Sequence, residues 1–194
     1  MREDSMDEHT HGEFVVRRAL PADAAAYARA DAEMVAETYR DLMPPSFATE
    51  RLAEVPELTA RYATGFATEQ QAEREHRQPE RRTWLALHGD RVVGTGVVTY
   101  VPQQWELGLG IALPPGNFRQ LNHLYLRPEA HGAGLAQTML DLALPDRQSA
   151  HLWVLIGNPR AEAFYRRNGF EVEAGEFSCG PVWYHRPMHR MRRD

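Results

Sequence analysis

One stretch near the middle of the chain constrains the fold most strongly, because three structural patterns follow one another there without a break. Residues 120–126 are rich in apolar side chains and predict a strand, and the small residues 132–134 predict a tight loop. Residues 134–144 have the apolar spacing of a helix, which Pro145 ends. A strand that runs through such a loop into a helix presents several backbone N–H groups and the positive end of the helix dipole to one point. The pattern predicts a binding site for a phosphate group at the start of this helix.

A second strand and helix follow about twenty residues later. Residues 151–156 form an apolar run that predicts a strand, and Asn158 comes directly before a helical pattern over residues 160–168. This helix carries Phe164 and Tyr165. The two strand–helix units together predict a cleft that holds a phosphate-bearing cofactor with a tyrosine beside it.

The composition limits the classes of protein to which the chain can belong. Its 194 residues are 43% hydrophobic and 25% charged, as is typical of one soluble globular domain. The net charge of −5 argues against binding to nucleic acid or to an anionic membrane, and no apolar run is long enough to span a bilayer. The single cysteine, Cys179, cannot form an internal disulfide, and the polar start is unlike a signal peptide. We therefore expect a cytoplasmic protein.

The periodicity of the remaining chain predicts a mixed order of strands and helices. Residues 1–12 have no apolar side chains apart from two methionines, so we expect a disordered tail there and one domain over residues 13–194. Residues 101–119 are rich in Gly and Pro and predict a long loop. The expected strands are residues 14–18, 83–87, 91–100, 120–126 and 151–156, followed by a final strand pair over 170–178 and 182–188.

At residues 124–136 the chain resembles the GNAT superfamily of acyl-CoA-dependent N-acetyltransferases. The residues that match its first motif are Leu124, Tyr125, Leu126, Pro128, His131, Gly134 and Ala136. His131 stands where the superfamily usually has Arg or Gln. The residues that match its second motif are Asn158, Ala161, Phe164, Tyr165, Gly169 and Phe170. The resemblance extends over residues 14–188.

The resemblance implies both a fold and a cofactor. The fold is α/β (α+β), with a mixed, mostly antiparallel central sheet of about six to seven strands flanked by helices. Its fourth and fifth strands splay apart and admit acetyl-CoA as the cosubstrate. Many members of the superfamily form homodimers. No metal is expected, since no convincing set of ligands is evident in the sequence.

The resemblance also implies which residues contact the cofactor. The pantetheine arm lies along Leu124, Tyr125 and Leu126, and Asn158, Ala161 and Tyr165 complete the site. The pyrophosphate lies against the loop and the helix start, formed by His131, Gly132, Ala133, Gly134, Leu135, Ala136 and Gln137. Each motif also has a purely structural interpretation: a Gly-Ala-Gly turn lets a helix pack closely on a strand, and a Phe-Tyr pair commonly belongs to a core.

The catalytic groups are the acid and the base of acetyl transfer. By analogy Tyr165 protonates the departing thiolate. Many members use a glutamate as the base, but its positions here are held by Gln120 and Trp153. The candidates are therefore His123, which strand alternation directs away from the face of Gln120 unless a bulge intervenes, and Glu106 acting through a water. A water chain without a dedicated base is a further alternative.

Several functions are consistent with these residues. The first is transfer of an acetyl group from acetyl-CoA to a primary amine of a small molecule or an amino terminus, by direct attack in a ternary complex. The second is a protein or peptide N-acetyltransferase, and the third is a sensor that binds acyl-CoA without catalysis. A nucleotide-phosphate module of another fold would bind ATP or NAD better than coenzyme A.

Overall fold

A computed structural model of the protein describes residues 8–114, 118–173 and 175–194. The strands are β1 His9–His11, β2 Phe14–Arg18, β3 Arg81–His88, β4 Arg91–Thr99, β5 Gln120–Leu126, β6 Ala150–Leu155, β7 Glu171–Val172, β8 Phe177–Ser178 and β9 Pro187–Arg193. The helices are α1 Ala24–Thr38, α2 Ser46–Ala53, α3 Val55–Arg74, α4 Gln104–Leu107, α5 Leu135–Ala143 and α6 Pro159–Arg167. The expected fourth and fifth strands are therefore β5 and β6.

In the described part of the chain, nine strands form one sheet in the order β1-β2-β3-β4-β5-β6-β9-β7, and β8 pairs with β9. Every pairing is antiparallel except that of β5 with β6, which is parallel. The mostly antiparallel mixed sheet is confirmed, with more strands than the six to seven expected. The helices cover both faces, since α1 and α3 pack on one side and α5 and α6 on the other.

The N-terminal end of the chain contributes one of the additional strands. The expected tail over residues 1–12 lies partly outside the described residues, but its last part differs from the expectation, because β1 pairs with β2 through His9↔Val16 and His11↔Phe14. A strand at the edge of a sheet is held by backbone hydrogen bonds and needs no apolar side chains. Composition alone therefore does not reveal it.

The last strand was wrongly placed by the sequence pattern. The long strand is β9, not residues 182–188, and the short strands β7 and β8 both pair with it. Its arginines make the segment look like a solvated end, yet they are paired within the fold. Arg190 bonds to Glu173, and Arg193 donates to the carbonyl oxygens of Gln148 and Asn168.

Close packing at one glycine positions α5 on the sheet. A Cβ atom at Gly94 of β4 would lie 2.6 Å from Leu126 and 2.9 Å from the sulfur of Met139 on α5. Both distances are shorter than a van der Waals contact, so a larger residue would push the helix outward. Glycine at this position brings the start of α5 close to the end of β5.

The segment between β4 and β5 is more ordered than the loop expected over residues 101–119, although residues 115–117 lie outside the described chain. It contains the single-turn helix α4, on which Glu106 is fully buried. One oxygen of Glu106 accepts hydrogen bonds from His151 Nε2 at 2.8 Å and from Trp153 Nε1 at 2.9 Å. Burial alone would raise the pKa of Glu106, but these two donors outweigh it and hold the pKa below its ordinary value. The carboxylate therefore anchors α4 to β6.

We expect Glu106→Gln to make stability less dependent on pH. The folded-state pKa of Glu106 is lowered, so its carboxylate stabilises the fold above the unfolded pKa of about 4.3, and this contribution is lost as the pH falls through the folded-state pKa. The uncharged amide oxygen makes weaker bonds, and the free energy of unfolding at neutral pH should fall by about 1–3 kcal/mol. Urea unfolding at neutral and acidic pH measures the difference.

The control for this experiment is Glu57→Gln, because Glu57 is exposed on α3. This variant should unfold like the wild type at both pH values. If the loss in Glu106→Gln is the same at neutral and at acidic pH, the charge of Glu106 does not stabilise the fold.

Candidate active site

The chain passes from β5 to α5 through two glycines in the left-handed region of backbone space. Gly132 has φ +79°, and Gly134, the residue directly before α5, has φ +80°. Other residues adopt this conformation at a cost of about 1–2 kcal/mol each. The two glycines therefore set the direction in which the backbone enters the helix.

Several consecutive backbone N–H groups at this turn have no acceptor among the described residues. Gln137 is the first residue of α5 whose N–H has an acceptor in the described chain, the Gly134 carbonyl at 3.0 Å, and its side chain donates to Asp141 and Asn168. The preceding N–H groups without an acceptor among the described residues are those of Gly132, Ala133, Gly134, Leu135 and Ala136. Consecutive free N–H groups at a helix start form a positive concave surface that is suited to phosphate.

His131 holds the first part of this loop between two elements. Its Nε2 lies 3.1 Å from the Leu126 carbonyl oxygen, and its Nδ1 lies 2.8 Å from a guanidinium nitrogen of Arg160. A carbonyl only accepts and a guanidinium only donates, so the imidazole is neutral with its hydrogen on Nε2. Burial and the charge of Arg160 lower the pKa of His131, which is consistent with that state. His131 thus connects the end of β5 to the start of α6 and keeps an exposed cation beside the loop.

A gap opens between β5 and β6 at the end of β5 from which the loop continues. The two strands pair only through Gln120↔His151 and Leu121↔Leu152 and then separate. Residues 124–126 pair with β4 on their other side, so their second backbone edge faces the gap. Leu124 and Leu126 pack toward α5. An extended chain can add to such a free strand edge through main-chain hydrogen bonds.

Asn158 begins α6 on the far side of the gap. Its side-chain oxygen accepts a hydrogen bond from the Ala161 N–H at 3.2 Å, which makes it the N-cap of the helix. The N–H of Ala161 is therefore occupied, while its side chain packs against the core beneath α5 and α6. The side-chain nitrogen Nδ2 of Asn158 makes no hydrogen bond within the described chain.

Tyr165 lies on the buried side of α6 and is 9% exposed. Its ring makes edge contacts with Phe164 at 5.3 Å and with Phe170 at 5.8 Å between ring centres. Its hydroxyl forms no hydrogen bond with any described residue. Burial raises the pKa of Tyr165 above its ordinary value, and the nearby Tyr39 adds to this effect. The phenol is therefore protonated at neutral pH and free to donate.

A β-bulge changes the direction of His123. Leu121 pairs with Val98 and His123 with Val97, so Asn122 is an extra residue on β5. Leu121 packs toward α5, which directs Gln120 to the opposite face, and the bulge brings His123 to that same face. The sequence made His123 a base candidate only if a bulge turned it to the face of Gln120, and the structure contains that bulge.

The ring of His123 contacts two residues of α1. Its Nε2 lies 3.2 Å from the Tyr27 hydroxyl and 3.4 Å from Asp31 Oδ1. Asp31 also accepts hydrogen bonds from Tyr62 and Thr95, each at 2.9 Å. Burial lowers the pKa of His123 below its ordinary value, and the charge of Asp31 offsets only part of that effect. The ring is therefore neutral near pH 7, with one nitrogen able to accept a proton.

The aromatic ring of Tyr125 lies between His123 and two further tyrosines, Tyr39 and Tyr165. The ring of His123 stacks on Tyr125, with ring centres 5.3 Å apart and planes 16° from parallel. The Tyr125 hydroxyl lies 3.3 Å from that of Tyr39. Tyr165 raises the pKa of Tyr125, and Tyr39 raises the pKa of Tyr165, so these phenols lie near one another. Tyr125 thus lies between the ring of His123 on one side and Tyr165 on the other.

Glu106 lies at a different place from these residues. Its partner His151 belongs to the paired end of β6 and Trp153 is the second residue after it, whereas Tyr125 lies four residues beyond the last paired residue of β5. Gln120 is 1% exposed, and its side-chain oxygen has no partner in the described chain. Neither Gln120 nor Trp153 can serve as a carboxylate base.

The sequence interpretation missed Asp31. The signal for it was present, because Asp31 falls four residues after Tyr27 and three before Met34, on the apolar stripe of α1. A carboxylate on the buried stripe of a helix requires donors, so the pattern predicts buried polar partners for Asp31, which the structure identifies as Tyr62 and Thr95.

Neither a metal centre nor a membrane-spanning helix is found in the described residues. No group of three or more His, Cys, Asp or Glu side chains there is arranged to hold a metal ion. None of the helices in residues 8–114, 118–173 and 175–194 has the length and apolar character that crossing a membrane requires.

Comparisons with solved structures identify the fold. PaiA N-acetyltransferase from Thermoplasma acidophilum, in complex with coenzyme A, has a TM-score of 0.63 at 16% identity, covering 91% of this chain and 97% of that chain. Ribosomal-protein-S5-alanine acetyltransferase from Vibrio fischeri has a TM-score of 0.61 at 11% identity, covering 96% of each chain. A variant of SpeG spermidine N-acetyltransferase from Vibrio cholerae has a TM-score of 0.51 at 16% identity, covering 93% of this chain and 92% of that chain.

Comparisons of sequence give the family. No curated protein matches the chain significantly. The model of the acetyltransferase (GNAT) family matches residues 35–170, which contain β5, the glycine loop, the gap and α6. The chain belongs to the GNAT family of acetyltransferases.

Proposed function

We propose that the protein transfers an acetyl group from acetyl-CoA to a primary amine of a small molecule or an amino terminus, by direct attack in a ternary complex. One observation carries the proposal: the N–H groups of residues 132–136, which have no acceptor among the described residues, lie at the end of a strand that separates from its neighbour, with Tyr165 close to Tyr125 and His123 stacked on Tyr125. Family membership supports acetyl-CoA as the cosubstrate.

The cofactor binds along the loop and the edge of β5 in this proposal. The diphosphate lies against the free N–H groups of residues 132–136 at the start of α5, and Arg160 adds a positive charge beside them. The pantetheine arm adds to residues 124–126 as an extra strand, because that edge lacks a partner in β6. Asn158 uses its side-chain oxygen to cap α6, which leaves its side-chain nitrogen Nδ2 for the pantetheine.

Acetyl transfer forms a nitrogen–carbon bond and breaks the carbon–sulfur bond of the thioester. The neutral amine attacks the carbonyl carbon, its nitrogen then loses one further proton to solvent, and the sulfur leaves with a proton as the free thiol of coenzyme A. Tyr165 supplies that proton, since burial keeps its phenol protonated and its hydroxyl has no competing partner among the described residues. The tyrosine regains a proton from solvent after the thiol leaves.

The incoming ammonium loses its proton to His123 in this proposal. The carboxylate of Asp31, 3.4 Å from Nε2, favours the tautomer with the hydrogen on Nε2, and in this proposal Nδ1 is therefore the acceptor. Nδ1 makes no hydrogen bond in the described chain and is not fully enclosed. Glu106 is the weaker candidate, because one of its oxygens already accepts two hydrogen bonds and the other is enclosed by the protein.

The experiment that tests the function measures the release of thiol from acetyl-CoA. The purified protein is assayed with three sets of acceptors: small monoamines, polyamines, and peptides with a free amino terminus, and mass spectrometry identifies the acetylated product. We expect thiol release that depends on the amine. Activity confined to peptides would favour a peptide N-acetyltransferase. Binding of acetyl-CoA without release would favour a sensor, and tighter binding of ATP or NAD than of coenzyme A would contradict the proposal.

We expect Tyr165→Phe to lower kcat by about 100-fold or more, because general-acid catalysis contributes roughly that factor. The dissociation constant for acetyl-CoA should stay within about 2-fold of wild type, since the ring and its packing are retained. Steady-state kinetics and calorimetry measure the two quantities. The matched control is Tyr100→Phe, which removes a half-buried phenol on the β4 side of the sheet. Equal turnover in Tyr165→Phe and wild type would remove Tyr165 from the mechanism.

The pH profile of kcat/KM tests the base. Asp31 raises the pKa of His123, so Asp31→Asn should lower that pKa and shift the acidic limb of the profile to lower pH. Because His123 would then be a weaker base, the plateau of kcat/KM should also be lower in Asp31→Asn. The control is Glu33→Gln, because Glu33 lies on the same helix but pairs with Arg127. If His123→Gln keeps both the plateau and the limb of wild type, the base is another group.

A further inference from the structure

The last residue of β1 reaches the phosphate loop. His11 Nε2 lies 2.6 Å from the Ala133 carbonyl oxygen, and His11 Nδ1 lies 3.0 Å from the hydroxyl oxygen of Thr138. These residues are more than 120 positions apart in the sequence. One side chain of the N-terminal strand therefore contacts both the loop and the first turns of α5.

The Ala133 carbonyl fixes the direction of one hydrogen bond, and the neutral tautomer that follows fixes the direction of the other. A carbonyl oxygen only accepts, so His11 Nε2 carries a hydrogen and donates it to Ala133. In the neutral imidazole the other nitrogen is an acceptor, and the Thr138 hydroxyl donates to Nδ1. Both ring nitrogens are satisfied, which holds the ring in one orientation against the loop.

The bond to Ala133 orients the next N–H group. The C=O and N–H of one trans peptide unit point in opposite directions. With the Ala133 carbonyl fixed toward β1, the N–H of Gly134 points to the other side of the loop. Gly134 is in the middle of the five residues whose N–H groups have no acceptor in the described chain.

The packing at Gly134 supports the same arrangement. A Cβ atom at Gly134 would lie 3.1 Å from His11 Nε2 and 3.3 Å from the neighbouring ring carbon. The imidazole therefore covers the face of the loop opposite the Gly134 N–H. The ring acts as a support behind the peptide unit and leaves the N–H face uncovered.

We propose that His11 is a positioning residue for the cofactor, which holds the peptide unit between Ala133 and Gly134 with its N–H directed at the diphosphate of coenzyme A. The inference rests on the proposed function, because it assumes that the loop binds that diphosphate. His11 touches neither the thioester nor the amine. It therefore affects cofactor affinity and leaves the chemical step unchanged.

Calorimetry with coenzyme A tests the proposal, combined with steady-state kinetics. We expect His11→Ala to weaken coenzyme A binding about 3-fold to 10-fold, the effect of one ordinary hydrogen bond, and to raise KM for acetyl-CoA with little change in kcat. His11→Gln should recover part of the affinity, because its side-chain amide can donate to the Ala133 carbonyl. The matched control is His9→Ala, since His9 is an exposed histidine on the same strand and should have no effect.

Two results would overturn the proposal. In the first, His11→Ala and His11→Gln bind coenzyme A as tightly as wild type. In the second, His9→Ala weakens binding as much as His11→Ala, which would show that the strand matters but not the histidine. A failure of the proposed function is distinguishable, because then the wild-type protein itself would not bind coenzyme A. The thermal midpoint of each variant establishes that it is folded.

Discussion

The separation of β5 from β6 is the constraint on which the rest of the structure depends. A parallel pair that keeps only two register partners leaves a row of backbone groups that must find other partners or face water. Part of this requirement is met at the loop, where His131 donates to the carbonyl of Leu126 at the end of the free edge. On the opposite wall, Asn158 caps the helix that begins where β6 ends. The gap is therefore stabilised by side chains that the two family motifs contribute.

The second constraint is the burial of charge on the α1 face of the sheet. Asp31 is a carboxylate with little exposure, and such a group needs hydrogen-bond donors to be tolerated. The donors come from Tyr62 on α3 and Thr95 on β4, and His123 on β5 lies beside them. The bulge at Asn122 makes this possible, because without it the imidazole would face α5. A single inserted residue in a strand thus decides which face of the sheet carries a titratable ring.

Much of this arrangement could be predicted from the sequence, because it is encoded locally. The strand–loop–helix at residues 120–144 and the strand–helix at residues 150–167 have strong periodicity, and the splayed pair of strands followed from the resemblance they carry. The contacts that the sequence could not reveal join distant segments. The strand β1 is defined by backbone pairing, and α4 is held by the bonds of Glu106 to β6, so neither leaves an apolar pattern. The partner of His123 lies on α1, which is more than ninety residues away in the chain.

The position of β1 has a thermodynamic consequence. It is an edge strand joined to one neighbour over three residues, and such strands fray at a lower free energy than the centre of a sheet. Fraying would withdraw His11 from Ala133 and so couple the order of the N-terminal segment to the occupancy of the loop. Linkage is reciprocal, so a diphosphate bound at the loop would stabilise β1 by the same free energy that an ordered β1 contributes to binding. Amide hydrogen exchange in the hairpin of β1 and β2 would therefore slow when a ligand binds at the loop that His11 contacts.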